Sequence, residues 1–264
     1  MRYFLLLLFG LFIFSSCEDI IELPVKDAEP KHVIEADLHN RSKEQVIRIS
    51  KTARLSESET FIGLDDAEVY VQDEKEKRDT FFNVGNGNYI NLNFKPMEGE
   101  RYKLSVKVEG ESYEAYSVMP NYVEVDTIGF VEEYIFGKEY YFLVLRFQDP
   151  EKEANYYKYN MSVNDSEMEF ISVNSDKFND GLYVEHRLTD KKNTLQPGDE
   201  VTLIRSTLDA AGFKYWNEYQ MTNPASASPG NPTSNISNGA LGYFIVRNAK
   251  SYKLNVPLFT AGQN

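Results

Sequence analysis

The sequence predicts a mainly β protein, with an N-terminal immunoglobulin-like sandwich followed by a second β-rich domain that contains one short helix. Polar and apolar residues alternate in short stretches from residue 32 to residue 118, as they do in strands with one buried face. Turn signals separate these stretches, including Asn-Gly at 86–87. Aromatic residues form 14 % of the chain, and Tyr and Phe favour half-buried sheet surfaces.

The first element is a short apolar segment that is followed by the only cysteine. A basic N-terminus precedes the apolar run 3–14, which is shorter than the roughly 20 residues that a membrane-spanning helix needs. We interpret residues 1–16 as a secretory signal peptide. Two serines followed by Cys17 resemble the lipobox of bacterial lipoproteins, whose cysteine carries a diacylglycerol and becomes the N-terminus. We therefore predict lipidation of Cys17, with residues 17–30 as anchor and linker.

Two acidic residues follow this cysteine directly. Glu18 and Asp19 resemble the export signal that sends Bacteroidota lipoproteins to the outer face of the outer membrane. The resemblance implies a lipid-anchored protein of the outer membrane that faces the cell surface. An anchor that faces the periplasm is the alternative.

The charge of the chain argues against nucleic acid as a partner. The full sequence carries 28 basic and 41 acidic residues, a net charge of −13, and no run of Lys and Arg is longer than two. A polyanion would need a concentrated basic patch to overcome this field.

The stretch 31–120 predicts the first domain. About seven strands in some 90 residues, with turns at short intervals, are typical of an immunoglobulin-like sandwich. Pro120 and Asn121 then precede a new apolar run, and we place the domain boundary there. The predicted strands are 32–38, 45–51, 67–72, 80–84, 88–94, 101–108 and 112–118.

The second domain, 121–264, begins with long aromatic strands and contains one helical pattern. Apolar and aromatic residues recur at helical spacing near 207–221, with Ser206 or Thr207 as the predicted N-cap and Pro224 beyond the end. The predicted strands are 138–149, 155–163, 167–173, 181–188, 199–205, 240–248 and 251–259.

A polar loop, 223–239, follows the helix and is rich in Asn, Pro, Ser and Gly. Loops of this length in compact domains are uncommon, and they tend to be functional or disordered. We predict that it contacts a partner, with Asn231, Pro232, Ser234, Asn235, Ile236 and Asn238 as the candidate residues.

The search for chemistry finds no catalytic motif. There is no G-x-S-x-G sequence, and the three histidines, His32, His39 and His186, are not spaced as metal ligands, so we interpret them as surface residues. We therefore predict no enzyme activity and assign no metal ligands. The aromatic strands around 134–142 and 156–159 fit core packing better than a flat ligand platform.

Two acidic stretches leave calcium as the weaker alternative to solvated loop acids. One lies at 65–79, and the other places Asp176, Asn179 and Asp180 before a glycine. Ca²⁺ needs six to eight oxygen ligands, and Phe178 occupies a ligand position of the EF-hand pattern. A separate short pattern, Asp-Thr-Ile at 126–128, resembles Bacteroidota O-glycosylation sites and makes Thr127 a candidate for modification.

Taken in order, the lipobox, "PKHVIEADL", "GNGNYINL", "DPEKEANYYKY" and "SNISNGALGYF" resemble a family of Bacteroidota outer-membrane lipoproteins catalogued as a domain of unknown function. Members are often encoded beside TonB-dependent receptors. The resemblance implies a non-catalytic binding or accessory module of such a receptor, in nutrient uptake or sensing. The alternatives are a surface hydrolase and a structural or adhesive component of the cell envelope.

Overall fold

The computed structural model describes residues 29–53, 61–192, 194–222 and 230–258. Almost all regular structure in these residues is strand, and one helix of twelve residues is present. The predicted mainly β fold with a single short helix is therefore confirmed. No helix in these ranges has the length and apolar character needed to cross a membrane.

Seven strands of the first sandwich coincide with the seven predicted stretches, and one two-residue strand is added. The alternation of buried and exposed side chains is clearest in β1, where every second residue is buried. The strands are β1 (His32–His39), β2 (Gln45–Lys51), β3 (Ile62–Gly63), β4 (Glu68–Gln72), β5 (Arg78–Gly85), β6 (Asn88–Asn91), β7 (Arg101–Val108) and β8 (Glu111–Val118).

Strand β5 connects the two layers of this sandwich. Its first half, up to Phe81, pairs with β4, and its second half, from Phe82, pairs with β6. The hydrogen-bonded order is therefore β1-β2-β6-β5-β4-β7-β8, folded over a single apolar core. Ile34, Ile49 and Leu104 are among its fully buried members.

The second sandwich packs a three-stranded sheet, ordered β13-β10-β9, on a sheet ordered β12-β11-β14. Helix α1 lies on the other face of the latter sheet. The elements are β9 (Thr127–Ile135), β10 (Lys138–Gln148), β11 (Tyr156–Val163), β12 (Glu169–Ser175), β13 (Tyr183–Leu188), β14 (Glu200–Leu208), α1 (Ala210–Met221) and β15 (Leu241–Asn255).

Strand β15 belongs to both sandwiches. Residues 241–247 pair in parallel with β1, and residues 248–255 pair antiparallel with β14. The last strand therefore completes the first sandwich from the far end of the chain. The predicted division into 31–120 and 121–264 does not include a strand shared by the two sandwiches. The two strands predicted at 240–248 and 251–259 form the single strand β15.

The predicted N-cap of the helix was wrong. Ser206 and Thr207 continue strand β14, and Asp209 caps α1 by accepting a hydrogen bond from the Gly212 N–H at 2.8 Å. Gly212 is needed for close packing, because a Cβ there would lie 3.2 Å from Cγ1 of Ile245 on β15. This contact offsets the roughly 1 kcal/mol that glycine costs in a helix.

Candidate functional site

A groove of about 650 Å³ lies where the chain passes from the first sandwich to the second. The connecting segment forms one wall through Pro120, Tyr122 and Glu124, and Gln148 and Asn155 lie on the other. The wall around Gln148 and Asn155 comes from the loop that joins β10 to β11. The contacts that hold this loop in place therefore also determine the shape of the groove.

Three aspartates meet beside this loop. Asp149 follows β10, while Asp176 and Asp180 lie in the connection from β12 to β13. One carboxylate oxygen from each lies within 4.8 Å of the others. We call these three residues the acid cluster. The two loops meet because the Asp149 N–H donates to the Leu182 carbonyl at 2.9 Å.

Asp149 is the buried member of the acid cluster, with 1 % of its surface exposed. Its Oδ1 accepts a hydrogen bond from the Tyr157 hydroxyl at 2.5 Å. Its Oδ2 is buried and accepts no hydrogen bond from any described residue. Burial raises the pKa of Asp149, and the charges of Asp176 and Asp180 add to this rise. The Tyr157 hydroxyl and the Gly181 N–H, which also lies close to the carboxylate, oppose it.

The other two carboxylates hold the opposite loop. Oδ2 of Asp176 accepts from the Asn155 N–H at 2.6 Å, and Oδ1 of Asp180 accepts from the Lys152 N–H at 2.8 Å. Asp176 is 7 % exposed, whereas Asp180 is open to solvent. Among the described residues, no Lys, Arg or His forms an ion pair with any member of the acid cluster. Its negative charge therefore has no counter-ion from these residues.

A buried arginine lies on the other side of Tyr157. The Arg205 guanidinium carbon is 4.4 Å from the ring centre of Phe147 and 4.5 Å from that of Tyr157, and the side chain is fully buried. Its Nη1 donates to the Val123 carbonyl in the groove wall. Nη2 has no hydrogen-bond partner among the described residues. Aromatic faces rather than a carboxylate thus stabilise this cation.

Comparison with known protein families identifies the family of this chain. A family model described as Domain of unknown function (DUF4249) matches residues 18–253. The chain belongs to this family. A search among curated proteins finds no significant match. The DUF4249 match covers both sandwiches and the acid cluster.

In this DUF4249 chain, the predicted acidic loop contributes two of the three clustered carboxylates. Asp176 and Asp180 were singled out from the sequence, whereas Asp149 was missed because it lies on a different loop. Phe178 points outward and is 84 % exposed. In the other acidic stretch, 65–79, Asp65 accepts from the Gly87 N–H of the β5–β6 turn, and Asp73 accepts from the Lys75 N–H within its own turn.

The candidate partner-loop residues within 230–239 pack against the first sandwich. Asn235 exchanges hydrogen bonds with the backbone of Phe244, Asn238 donates to the Ser112 carbonyl, and Ile236 is 7 % exposed within the apolar core. Asn231 is exposed, and Pro232 and Ser234 are half-buried. Residues 223–229 of this loop lie outside the described ranges.

The histidines do not behave as the predicted surface residues. His32 is 9 % exposed and contacts the Tyr113 hydroxyl at 2.7 Å and Glu109 at 3.0 Å. His186 is packed among aromatic rings and contacts the Tyr159 hydroxyl at 2.6 Å. His39, at the end of β1, is half-buried, and none of the three histidines joins the acid cluster.

The predicted modification sites divide between described and undescribed residues. Thr127 is exposed at the start of β9, where a modifying enzyme can reach its hydroxyl, and its glycosylation stays a prediction. Cys17, Glu18 and Asp19 lie outside the described residues, as do the signal peptide and most of the linker.

Proposed function

We propose that this protein is a surface-exposed outer-membrane lipoprotein that acts as a non-catalytic accessory module of a TonB-dependent receptor. The position of Cys17 after a short apolar run supports the lipid anchor. Membership of the DUF4249 family is compatible with this role and adds no chemistry of its own. The Bacteroidota origin and the receptor partner rest on the resemblance in sequence.

One structural observation supports a protein partner: the tip of the β9–β10 hairpin exposes two aromatic residues. Tyr134 is 73 % exposed and Phe136 is fully exposed. Phe136 has a φ of 48° and is followed by Gly137 with a φ of 80°, a turn in which Asn is ordinarily preferred to a bulky residue. Strain and exposure retained together are typical of a contact residue.

The hairpin tip is better suited to partner contact than the packed part of the 223–239 loop. Asn235, Ile236 and Asn238 already use their side chains within the first sandwich. Removing them would disturb the core rather than a binding surface alone. Phe136 makes no comparable packing contact, so its replacement isolates binding from folding.

The test is a pull-down from gently solubilised outer membranes through a C-terminal tag, followed by identification of bound proteins. We expect a TonB-dependent barrel with the wild type and its loss with the double variant Tyr134→Ser, Phe136→Asn. Phe82→Ser, which changes an aromatic residue that is 67 % exposed on the first sandwich, is the matched control and should retain the barrel. Cys17→Ala should release the protein from the membrane. An anchored wild type that brings no receptor would refute the accessory role.

The structure offers no support for the hydrolase alternative at Asp149, the one described carboxyl group whose pKa is raised. Asp149 has a raised pKa, as a general acid would need, but only 1 % of its surface is exposed. A substrate cannot approach that oxygen. We therefore base no activity on it.

A further inference from the structure

We propose that Asp149, Asp176 and Asp180 form a calcium-binding site that joins the two loops beside the groove. Three carboxylates converge there, with one oxygen of each within 4.8 Å of the others. Nothing else in the described chain brings three acidic or histidine ligands so close. Exposed acidic clusters are common on protein surfaces, but this one includes Asp149, which is buried.

Asp149 also has one carboxylate oxygen without a hydrogen-bond partner among the described residues. The residue is 1 % exposed, its Oδ2 is buried, and no described donor forms a hydrogen bond with that atom. The Gly181 N–H lies close enough to lower the pKa of Asp149 but does not complete a hydrogen bond to Oδ2. A buried carboxylate oxygen without a hydrogen bond costs free energy that native proteins rarely accept. Because Asp149 converges with the other two carboxylates, a cation between them would satisfy it. Water could reach only the outer part of the site, near exposed Asp180.

The donor set and its spacing fit calcium. Ca²⁺ takes carboxylate oxygens at about 2.3–2.6 Å, so oxygens on opposite sides of the ion lie up to about 5 Å apart. The observed limit of 4.8 Å agrees with that span. Mg²⁺ binds at about 2.0–2.1 Å in a strict octahedron, which would draw the three loop positions closer together. Zn²⁺ would favour nitrogen or sulfur ligands, and the site has neither.

The existing hydrogen bonds leave the ligands free to bind. Asp176 and Asp180 each use one oxygen to accept from a backbone N–H of the opposite loop, at Asn155 and Lys152. Asp149 uses one oxygen for Tyr157. One oxygen per carboxylate is therefore not used by these hydrogen bonds and is available to an ion, and water would complete the coordination from the side of exposed Asp180. The ion would link the ends of β10 and β12, which belong to opposite sheets of the second sandwich.

The test uses the full lipoprotein in detergent, stripped of metal with a chelator. We expect calorimetric binding of one Ca²⁺ and a melting temperature raised by about 3 °C or more at about 5 mM CaCl₂, given the affinities of extracellular calcium modules. Tb³⁺ should show emission sensitised by Tyr157 and displaced by Ca²⁺. No binding heat and no change in melting temperature would overturn the proposal. An equal response to MgCl₂ would overturn the assignment to calcium.

Three variants locate the ion. Asp180→Asn keeps an oxygen for the Lys152 N–H and should fold normally, but it should weaken Ca²⁺ binding at least tenfold. Asp149→Asn keeps an acceptor for Tyr157 while removing a buried charge, so it should melt higher than the metal-free wild type and lose the calcium response. Asp66→Asn, in the other acidic stretch, is the control and should respond as the wild type does. A calcium response that persists in both cluster variants would place the ion elsewhere and refute the site.

Discussion

The described residues before 121 bury polar side chains but no Asp, Lys or Arg, whereas the second half of the chain buries charge. Every buried Asp, Lys or Arg among the described residues lies after residue 148: Asp149, Lys158, Asp176, Arg205 and Arg247. Around its core of aliphatic and aromatic side chains, the first sandwich buries neutral polar side chains such as those of Gln45 and Asn91. Burying a charge costs free energy unless it is well paired. The second half of the chain therefore contributes the buried charges, and the shared strand β15 brings one of them, Arg247, against Asp37 of the first sandwich.

The buried charges of the second half differ in how they are compensated. Arg247 bonds to Asp37 and to the Ser206 hydroxyl, and Lys158 lies 3.7 Å from the same aspartate, all beneath helix α1. Arg205 has aromatic faces, and Asp149 has one oxygen with no described donor. Each of the last two leaves one buried polar atom without a described hydrogen-bond partner, and both contact Tyr157. A ligand at that end of the second sandwich would therefore satisfy polar atoms that have no partner among the described residues.

The strongest test of the comparison is whether the two sandwiches unfold separately. Gly242 on β15 has a φ of 93°, and a Cβ there would lie 2.1 Å from the Ile34 carbonyl oxygen on β1. We expect Gly242→Ala to lower the free energy of unfolding by about 3 to 4 kcal/mol. Because β15 is continuous, the loss should appear both in circular dichroism and in the fluorescence of Trp216, which lies on α1.

The control for this variant is Gly239→Ala. Gly239 also has a positive φ, 72°, but its Cβ would meet no atom within 4 Å, so the loss should be only about 1 kcal/mol. If the Trp216 transition stayed at its wild-type denaturant concentration in Gly242→Ala, the sandwiches would be independent units and the shared strand would not couple them.

The pairing of β15 with β1 also shows where sequence reasoning stops. Alternation and turn residues are local signals, and the seven strands of the first sandwich were predicted from them within a few residues. The parallel pair Ile34–Gly242 joins positions more than 200 residues apart, and no local pattern encodes it. The acid cluster has the same character: the Asp176–Asp180 loop was visible, but its meeting with Asp149 depends on the packing of two sheets.

The second prediction concerns acid lability. Burial and the nearby Arg205 lower the pKa of His186 to about 4, from an ordinary value of 6.5. The unfolded chain therefore binds a proton that the folded protein excludes, so stability is complete above about pH 6.5 and falls as the pH drops toward 4. We expect a loss of about 2 kcal/mol over that interval from this residue.

Denaturant unfolding of the wild type and His186→Gln at several pH values measures this contribution. The variant should lose part of the acid sensitivity. His39, whose pKa is also lowered to about 4, by burial and by Arg247, should account for a second part, which His39→Gln removes. Parallel pH profiles of wild type and His186→Gln would contradict the assignment.

The third prediction tests whether the charge beneath α1 lowers stability. Lys158 is 2 % exposed, with its Nζ 3.4 Å from the Trp216 ring centre. Burial lowers the pKa of Lys158; Asp37 opposes this and Arg247 adds to it, which leaves the pKa at about 7. Because Arg247 still pairs with Asp37, Lys158→Met should raise stability by about 1 kcal/mol.

The pH dependence of the stability gained by Lys158→Met tests whether the buried charge of Lys158 is its cause. A folded pKa below the unfolded value of 10.5 means that the cost of the charge is complete below about pH 7 and disappears as the pH rises toward 10.5. The gain from Lys158→Met should therefore be larger at pH 6 than at pH 9.5. Lys214→Met, on the exposed face of α1, should change stability little at either pH. A destabilised Lys158→Met would show that the lysine supports α1 rather than strains it.

The smallest expected change in the free energy of unfolding comes from variants in one hairpin of each sandwich. Asn86–Gly87 in the first and Phe136–Gly137 in the second both have two successive positive φ angles, 55° and 68° against 48° and 80°. Asn adopts this conformation readily, whereas a bulky residue is strained by about 1 kcal/mol. Phe136→Asn should therefore raise the free energy of unfolding by about 0.5 to 1 kcal/mol while weakening partner capture. The reciprocal Asn86→Phe should lower stability by a similar amount. If Phe136→Asn were instead destabilising, the phenylalanine would stabilise the fold. Its exposure would then no longer support the hairpin tip as a contact surface.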